Sequence, residues 1–296
     1  MPEPRSKSGS ESGSEPGPEA RAEPGSEPKS KIRQPGTLRG ETHVPTPLRG
    51  ASGTTRIRWR LDSGTGVPDA PLILCLHGMG MNEETFAERL SGLFASPFHF
   101  LIPRGPLDLG ALPGGQPVRG PEARSEADPR REVRFLREEV RASWYDYEGD
   151  PERFLAELRR SDELIRGLIV AVEKSLGLRP RRRYLLGFSQ GGYCGGFVAL
   201  RNSDLFRGMV ISGARVKTEV LEEEMRAAAP TGFEVLLCHG RADHSVKPEA
   251  AVRSRDALQA AGIAVEHHEF DGGHVLGPAQ IDRIREWLGS RGTSQM

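Results

Sequence analysis

Ser189 lies in Gly187-Phe188-Ser189-Gln190-Gly191, a GxSxG pentapeptide. A serine hydroxyl is a weak nucleophile at neutral pH; it needs a base to take its proton and an acid to orient that base. On a strand–turn–helix scaffold the partners should follow in the order Ser, then Asp or Glu, then His. Downstream, Glu234-Val235-Leu236-Leu237-Cys238-His239-Gly240-Arg241-Ala242-Asp243 puts Asp243 in the loop leaving an apolar run, and Asp271-Gly272-Gly273-His274 puts His274 in a Gly-rich turn. This is the order acyl transfer requires. Asp271 is a rival acid, but it lies only three residues from His274, in the turn that must present the base. The other histidines fit the role less well. His239 ends a strand and is expected to pack or bond locally. His244 adjoins the acid on a loop rim, and the consecutive His267 and His268 point to opposite faces of a strand.

Acyl transfer also needs hydrogen-bond donors for the developing oxyanion. His77-Gly78-Met79-Gly80 follows an apolar run and can aim backbone N–H groups at the serine. The backbone amides of Met79 and Gln190 are therefore assigned to an oxyanion hole.

The elements that must position these groups are legible as apolar runs. Pro71–Leu76, Phe98–Ile102, Tyr184–Phe188, Gly208–Ser212, Phe233–Cys238 and Val265–Phe270 read as buried strands, and Thr54–Leu61 alternates like a half-exposed edge strand. Helices are expected over 83–93, 190–202, 247–261 and 278–289. A longer one starts at Asp150-Pro151 and carries Leu155, Leu158, Ile165, Leu168, Ile169, Val172 and Leu176 until Gly177 closes it. Alternating strands and helices predict an α/β fold, a mostly parallel sheet with helices on both faces.

The organisation expected is a disordered low-complexity tail over 1–50 and a catalytic domain over 51–296. In the first 40 residues, 26 positions are Pro, Gly, Ser or Glu, too few apolar groups to offset ordering entropy. Within the domain, 104–147 is Gly- and Pro-rich and then heavily charged, with Asp128-Pro129 as the start of a short helix. A connection of that length suits a lid or substrate-contacting insertion, or a charged surface excursion.

Composition excludes several classes. Among the 296 residues, 41 basic balance 41 acidic side chains, which argues against a field-driven nucleic-acid binder or a polybasic membrane protein. No run of 18 apolar residues and no signal-peptide core occurs, so no stable membrane insertion is expected. Cys75, Cys194 and Cys238, odd in number and set among apolar residues, read as buried free thiols in a reducing, cytoplasmic compartment. No metal framework is visible, no GxGxxG opens a helix after the first buried strand, and no cofactor is expected.

Several of these segments, taken together, resemble the phospholipase/carboxylesterase family of α/β-hydrolases, the group that includes acyl-protein thioesterases. The matching segments are Leu76-His77-Gly78-Met79-Gly80, Pro103-Arg104-Gly105-Pro106, Trp144-Tyr145-Asp146, Gly187-Phe188-Ser189-Gln190-Gly191-Gly192, His239-Gly240-Arg241-Ala242-Asp243 and Gly273-His274. They span about 51–288, and the resemblance implies an α/β-hydrolase fold and cofactor-free cleavage of carboxylic esters, lysophospholipids or acyl thioesters by a Ser-Asp-His triad. It also implies that Trp144, Tyr145 and His244 contact substrate. Where the family often has Val-Val-Pro after the aspartate, this chain has His244-Ser245-Val246-Lys247-Pro248, and its charged segment before Trp144 is long. Both departures lie where substrate should sit, so the chemistry carries over and the acyl and leaving groups do not. Small or medium acyl esters are favoured because no long apolar lid is evident. A lysophospholipase or thioesterase is the nearest alternative, and a non-catalytic ligand-binding module on the same fold is the alternative from another class.

Overall fold

The computed structural model describes residues 30–48, 51–110, 141–146 and 149–292. An eight-stranded sheet forms its centre. In chain order it uses β1 (Gly36–Leu48), β2 (Ala51–Ser63), β3 (Leu72–Leu76), β4 (His99–Pro103), β7 (Arg183–Phe188), β8 (Gly208–Ser212), β9 (Glu234–Gly240) and β10 (Ala264–Phe270). Their spatial order is β1-β2-β4-β3-β7-β8-β9-β10. β2 pairs antiparallel with both β1 and β4, and every other pairing is parallel. This is the mostly parallel α/β-hydrolase sheet expected. Two short strands, β5 (Leu107–Asp108) and β6 (Ala142–Ser143), form a separate antiparallel pair.

The apolar runs do not reveal their two faces by composition, yet the strands sort strictly by alternation. Leu72, Leu74 and Leu76 of β3 enter one core with α2 (Pro151–Leu176), α3 (Gln190–Arg201), α4 (Glu222–Ala228) and Leu258 of α5 (Pro248–Ala260). Ile73 and Cys75 enter the other, with Phe86 and Leu90 of α1 (Glu83–Leu90) and Ile284, Trp287 and Leu288 of α6 (Pro278–Gly292). Local chemistry sets the helix ends. Asn82 caps α1 through the Glu84 and Thr85 amides, Asp150 caps α2 through Glu152 and Arg153, and Gly177 ends α2 in the left-handed region at φ 66°. Among the described residues, no helix is long and apolar enough to cross a membrane.

Two expectations are corrected here. The boundary at 51 lies too late, because β1 belongs to the same sheet, and Thr54–Leu61 belongs to β2, which β1 covers, so it is not an edge. β1 escapes detection because it holds few apolar residues and includes Pro45, which an edge strand tolerates and an interior strand does not. It is held by specific fits instead. Val44 is buried where Gly167 of α2 leaves room for it, and the Trp59 indole donates to Thr42 Oγ1 at 2.9 Å. Upstream, Ile32 is buried and the Lys31 amide donates to the Leu176 carbonyl. Residues 1–29 and 49–50 of the expected tail, and 111–140 and 147 of the expected insertion, including the helix expected from Asp128, lie outside the described residues.

Candidate active site

Ser189 stands between β7 and α3, at the carboxyl end of the sheet. Its φ of 53° and ψ of −119° make it the one non-glycine residue with positive φ among the described residues. Such a backbone costs about 1–3 kcal/mol and persists only where the surroundings over-determine it. Those surroundings are visible. The Ser189 amide donates to the Ser212 carbonyl at 2.9 Å, and α3 approaches the sheet so closely that a Cβ on Gly191 would overlap the Leu76 and His77 carbonyl oxygens. A Cβ on Gly187 would overlap the Gly191 carbonyl. The glycines of the pentapeptide are therefore steric requirements of the turn that raises the serine.

His274 Nε2 lies 2.8 Å from Ser189 Oγ, and its Nδ1 lies 2.8 Å from Asp243 Oδ2. Because a carboxylate only accepts, Nδ1 carries the proton and Nε2 is free to accept from the serine. The imidazole is placed by packing as well, with the Phe188 ring 5.1 Å away, centroid to centroid. Asp243 is buried, and its other oxygen accepts the Ser245 and Val246 amides, both at 2.8 Å. The rival acid, Asp271, is exposed and paired with Arg241 at 2.5 Å, so it turns away from the base.

Asp243 has a second imidazole beside it. His239 Nε2 is 3.3 Å from Asp243 Oδ2 and 2.8 Å from the Val246 carbonyl, and with two acceptors facing it that nitrogen must be the protonated one. Sequence reasoning gave His239 only local bonding; its five-residue motif with Asp243 holds both ends of the loop that presents the acid.

The turn after β3 is organised by a buried histidine. His77 Nδ1 bonds the Gly78 carbonyl at 2.8 Å, and its Nε2 accepts the Gly105 amide at 2.9 Å, which sets the Nδ1-protonated tautomer. Burial lowers the His77 pKa to about 4, so this ring is neutral at physiological pH. Gly78 packs against Phe188 and Ser189. Met79, whose side chain is exposed, follows in the turn, and Gln190 opens α3, where the first N–H groups have no intrahelical acceptor.

The Gln190 side chain has a role sequence reasoning missed. Its Oε1 accepts from the Trp144 amide and the Ser143 hydroxyl, both at 3.1 Å, and its Nε2 donates to the Tyr145 carbonyl at 3.1 Å. The residue next to the serine thus clamps segment 143–145. Glutamine supplies both a donor and an acceptor for this task, but nothing in the sequence spacing connects it to residues 45 positions away.

Trp144 is corrected. It is only 2% exposed, its indole donates to the His77 carbonyl at 2.8 Å, and its ring lies 5.0 Å from the His77 ring. It therefore buttresses the turn from behind and does not face open space. Tyr145 is half-buried against Phe154 and Tyr193, and His244 is exposed on the loop after Asp243. His267 and His268 lie in β10, which corrects the expectation of a buried strand over Val265–Phe270: it is the other edge of the sheet, and only Phe270 in it is buried. The three thiols are buried and free, and burial pushes those of Cys194 and Cys238 up to about 12. Among the described residues, no cluster of His, Cys, Asp or Glu has the geometry of a metal site.

The family described as Serine hydrolase (FSH1) matches residues 69–284. The chain is 25% identical over 131 residues to lysophospholipase-like protein 1 of Mus musculus, across 44% of this chain and 54% of that protein. It is 28% identical over 162 residues to the probable carboxylesterase SOBER1-like of Arabidopsis thaliana, across 51% of this chain and 60% of that one. The matched regions thus span little more than half the length of these relatives. Among solved structures, Zea mays acyl-protein thioesterase 2 superposes with a TM-score of 0.57 at 19% identity, covering 79% of this chain and 99% of that one, a likeness of fold.

Proposed function

The chain belongs to the serine hydrolase (FSH1) family, and on that premise we propose that it cleaves carboxylic esters of small or medium acyl groups through an acyl-enzyme on Ser189. The observation that carries this reading is His274, 2.8 Å from both a strained serine and a buried aspartate. Ser189 Oγ attacks the carbonyl carbon while His274 Nε2 takes its proton. Asp243 stabilises the imidazolium without itself being protonated. The Met79 and Gln190 amides receive the oxyanion, a contribution worth about 3–4 kcal/mol per donor at such sites. His274 then returns the proton to the departing alkoxide, and water repeats the sequence on the acyl-enzyme. None of these steps calls for a metal or a cofactor.

An acyl thioester or a lysophospholipid would pass through the same kind of intermediates, and the similar proteins include a lysophospholipase-like protein and an acyl-protein thioesterase. Tyr145 and His244 remain the candidates for substrate contact. Three buried free thiols fit a reducing, cytoplasmic setting. The test is a p-nitrophenyl ester panel from acetate to palmitate with wild type and Ser189→Ala. Turnover peaking at short chains and lost in the variant supports the reading; a peak at long chains moves it to the lysophospholipase or thioesterase alternative.

A further inference from the structure

Arg141 lies two residues before the segment that Gln190 clamps, and its guanidinium lies over Gly80, where a Cβ would stand 3.1 Å from Nη2 and 3.2 Å from Nε. Gly80 is the residue after Met79 and adopts φ 80°, a left-handed conformation that leaves this face clear for the planar group. Arg141 Nε is buried without a hydrogen-bond partner, and among the described residues no carboxylate pairs with the side chain. Asp108, on the paired strand β5, accepts the Gly110 amide at its Oδ1. A guanidinium is always charged, and leaving one half-buried with idle donors is costly unless an anion arrives.

The position of this cation is tightly set. The Gly80 amide donates to the Ala142 carbonyl at 2.9 Å, and the Ala142 amide donates to the Met81 carbonyl at 3.1 Å. The Leu109 amide donates to the Arg141 carbonyl at 2.9 Å. The chain from Arg141 into β6 is therefore bonded to the turn after β3 and, two residues on, to the side chain adjoining Ser189. A Cβ at Gly78 would stand 3.4 Å from the Ser189 Cβ. Gly78 and Gly80 are two residues apart, at most about 7 Å. The exposed apolar side chains of Met79, Leu109 and Val275 adjoin Gly80, Arg141 and His274 in the chain or through these bonds, beside a cation that no carboxylate among the described residues neutralises.

We propose that Arg141 is a specificity-determining residue that binds an anionic group, a carboxylate or phosphate, carried on the ester substrate a few bonds from the scissile carbonyl. This rests on the ester-hydrolase reading above and names the substrate class for the same site. The planar fork of arginine suits either anion bidentately.

The test compares kcat/KM for matched substrates in wild type, Arg141→Gln and Arg141→Lys. One arm sets p-nitrophenyl hemiesters of succinate to suberate against neutral p-nitrophenyl esters of equal chain length. The other sets 1-butyrylglycerol 3-phosphate against 1-monobutyrin, so the two arms separate a carboxylate from a phosphate source. In at least one arm wild type is expected to prefer the anionic member, with the anionic-to-neutral ratio falling about ten- to a hundredfold in Arg141→Gln, partly restored in Arg141→Lys, and shrinking as salt rises. Absence of preference in both arms of wild type, or a ratio untouched by Arg141→Gln, overturns the proposal. If wild type hydrolyses no ester at all, it is the hydrolase reading that fails. Glutarate titrated calorimetrically into the full chain then decides: binding at least tenfold weaker in Arg141→Gln sustains the anion site, and equal binding ends it.

Discussion

At the scale of single residues, two acidic side chains compete for the base and burial separates them. Asp243 is enclosed, takes two backbone amides and faces two imidazoles, whereas Asp271 is held outward by Arg241. Asp243→Asn should lower kcat on p-nitrophenyl butyrate by about 10⁴-fold, because the amide favours the wrong histidine tautomer. Asp271→Asn should change it less than about twofold, since surface pairs contribute little. A comparable loss in both would mean the acid is misassigned. His77 offers a second test. Its pKa is about 4 in the folded protein against 6.5 unfolded, so the unfolded chain binds the proton first. Its contribution is complete above pH 6.5 and is lost as pH falls toward 4, about 3 kcal/mol in all. Burial lowers His99 and His267 in the same direction. Urea melts from pH 7 to 4 should show this slope, and His77→Asn should flatten it; a wild-type stability that does not change over that range contradicts the assignment. Ser189, Asp243 and His274 were legible as a candidate set because each follows closely on a segment that reads as a strand, and strand ends are easily read. Trp144 was misjudged because a motif gives a residue's place in the chain and says nothing of its burial. Arg141 drew no notice in the sequence, because only the fold sets its guanidinium over Gly80 with no carboxylate beside it among the described residues.

At the scale of elements, what positions the serine is a set of close approaches between glycines and carbonyls, together with a polar clamp. Gln190→Ala would leave the Trp144 amide and Ser143 hydroxyl without this acceptor, and should cost about 1–3 kcal/mol of stability by chemical melts. An unchanged midpoint would mean the clamp contributes nothing. β1 makes a different kind of contribution. It covers the edge of β2 and the face of α2 with few apolar residues, relying on Val44 and the Trp59–Thr42 bond. Its charged, proline-containing sequence gives no periodic signal, so the edge of the sheet was the least legible part of the fold, while the interior strands were placed within a residue or two. Removal of residues 1–50 should strip this cover from Ile57 and Trp59, lower the melting temperature and promote self-association in sedimentation. A truncated chain that stays monomeric and equally stable would show β1 to be dispensable.

At the scale of the whole molecule, one sheet divides two cores, and each core holds buried thiols: Cys194 in one, Cys75 and Cys238 in the other. Burial raises all three thiols well above the usual range, so they should react with Ellman's reagent only as fast as the molecule opens, and all three should react in denaturant. Rapid labelling of a native thiol would show that one core is looser than its packing indicates. At the carboxyl ends of the parallel strands, β3, β7, β9 and β10 lead into the His77–Gly80 turn, Ser189, Asp243 and His274, which the proposed function makes the oxyanion turn, the nucleophile, the acid and the base. The proposed reaction class rests on that convergence. The measurement that bears on it most directly is kcat/KM of wild type and Ser189→Ala for p-nitrophenyl butyrate, with fluorophosphonate labelling of both proteins. The expected result is turnover and covalent labelling in wild type, with turnover reduced about 10⁴–10⁶-fold and no labelling in the variant. Hydrolysis by Ser189→Ala at the wild-type rate, or a wild-type protein that neither turns over the ester nor takes the label, would contradict nucleophilic catalysis by Ser189.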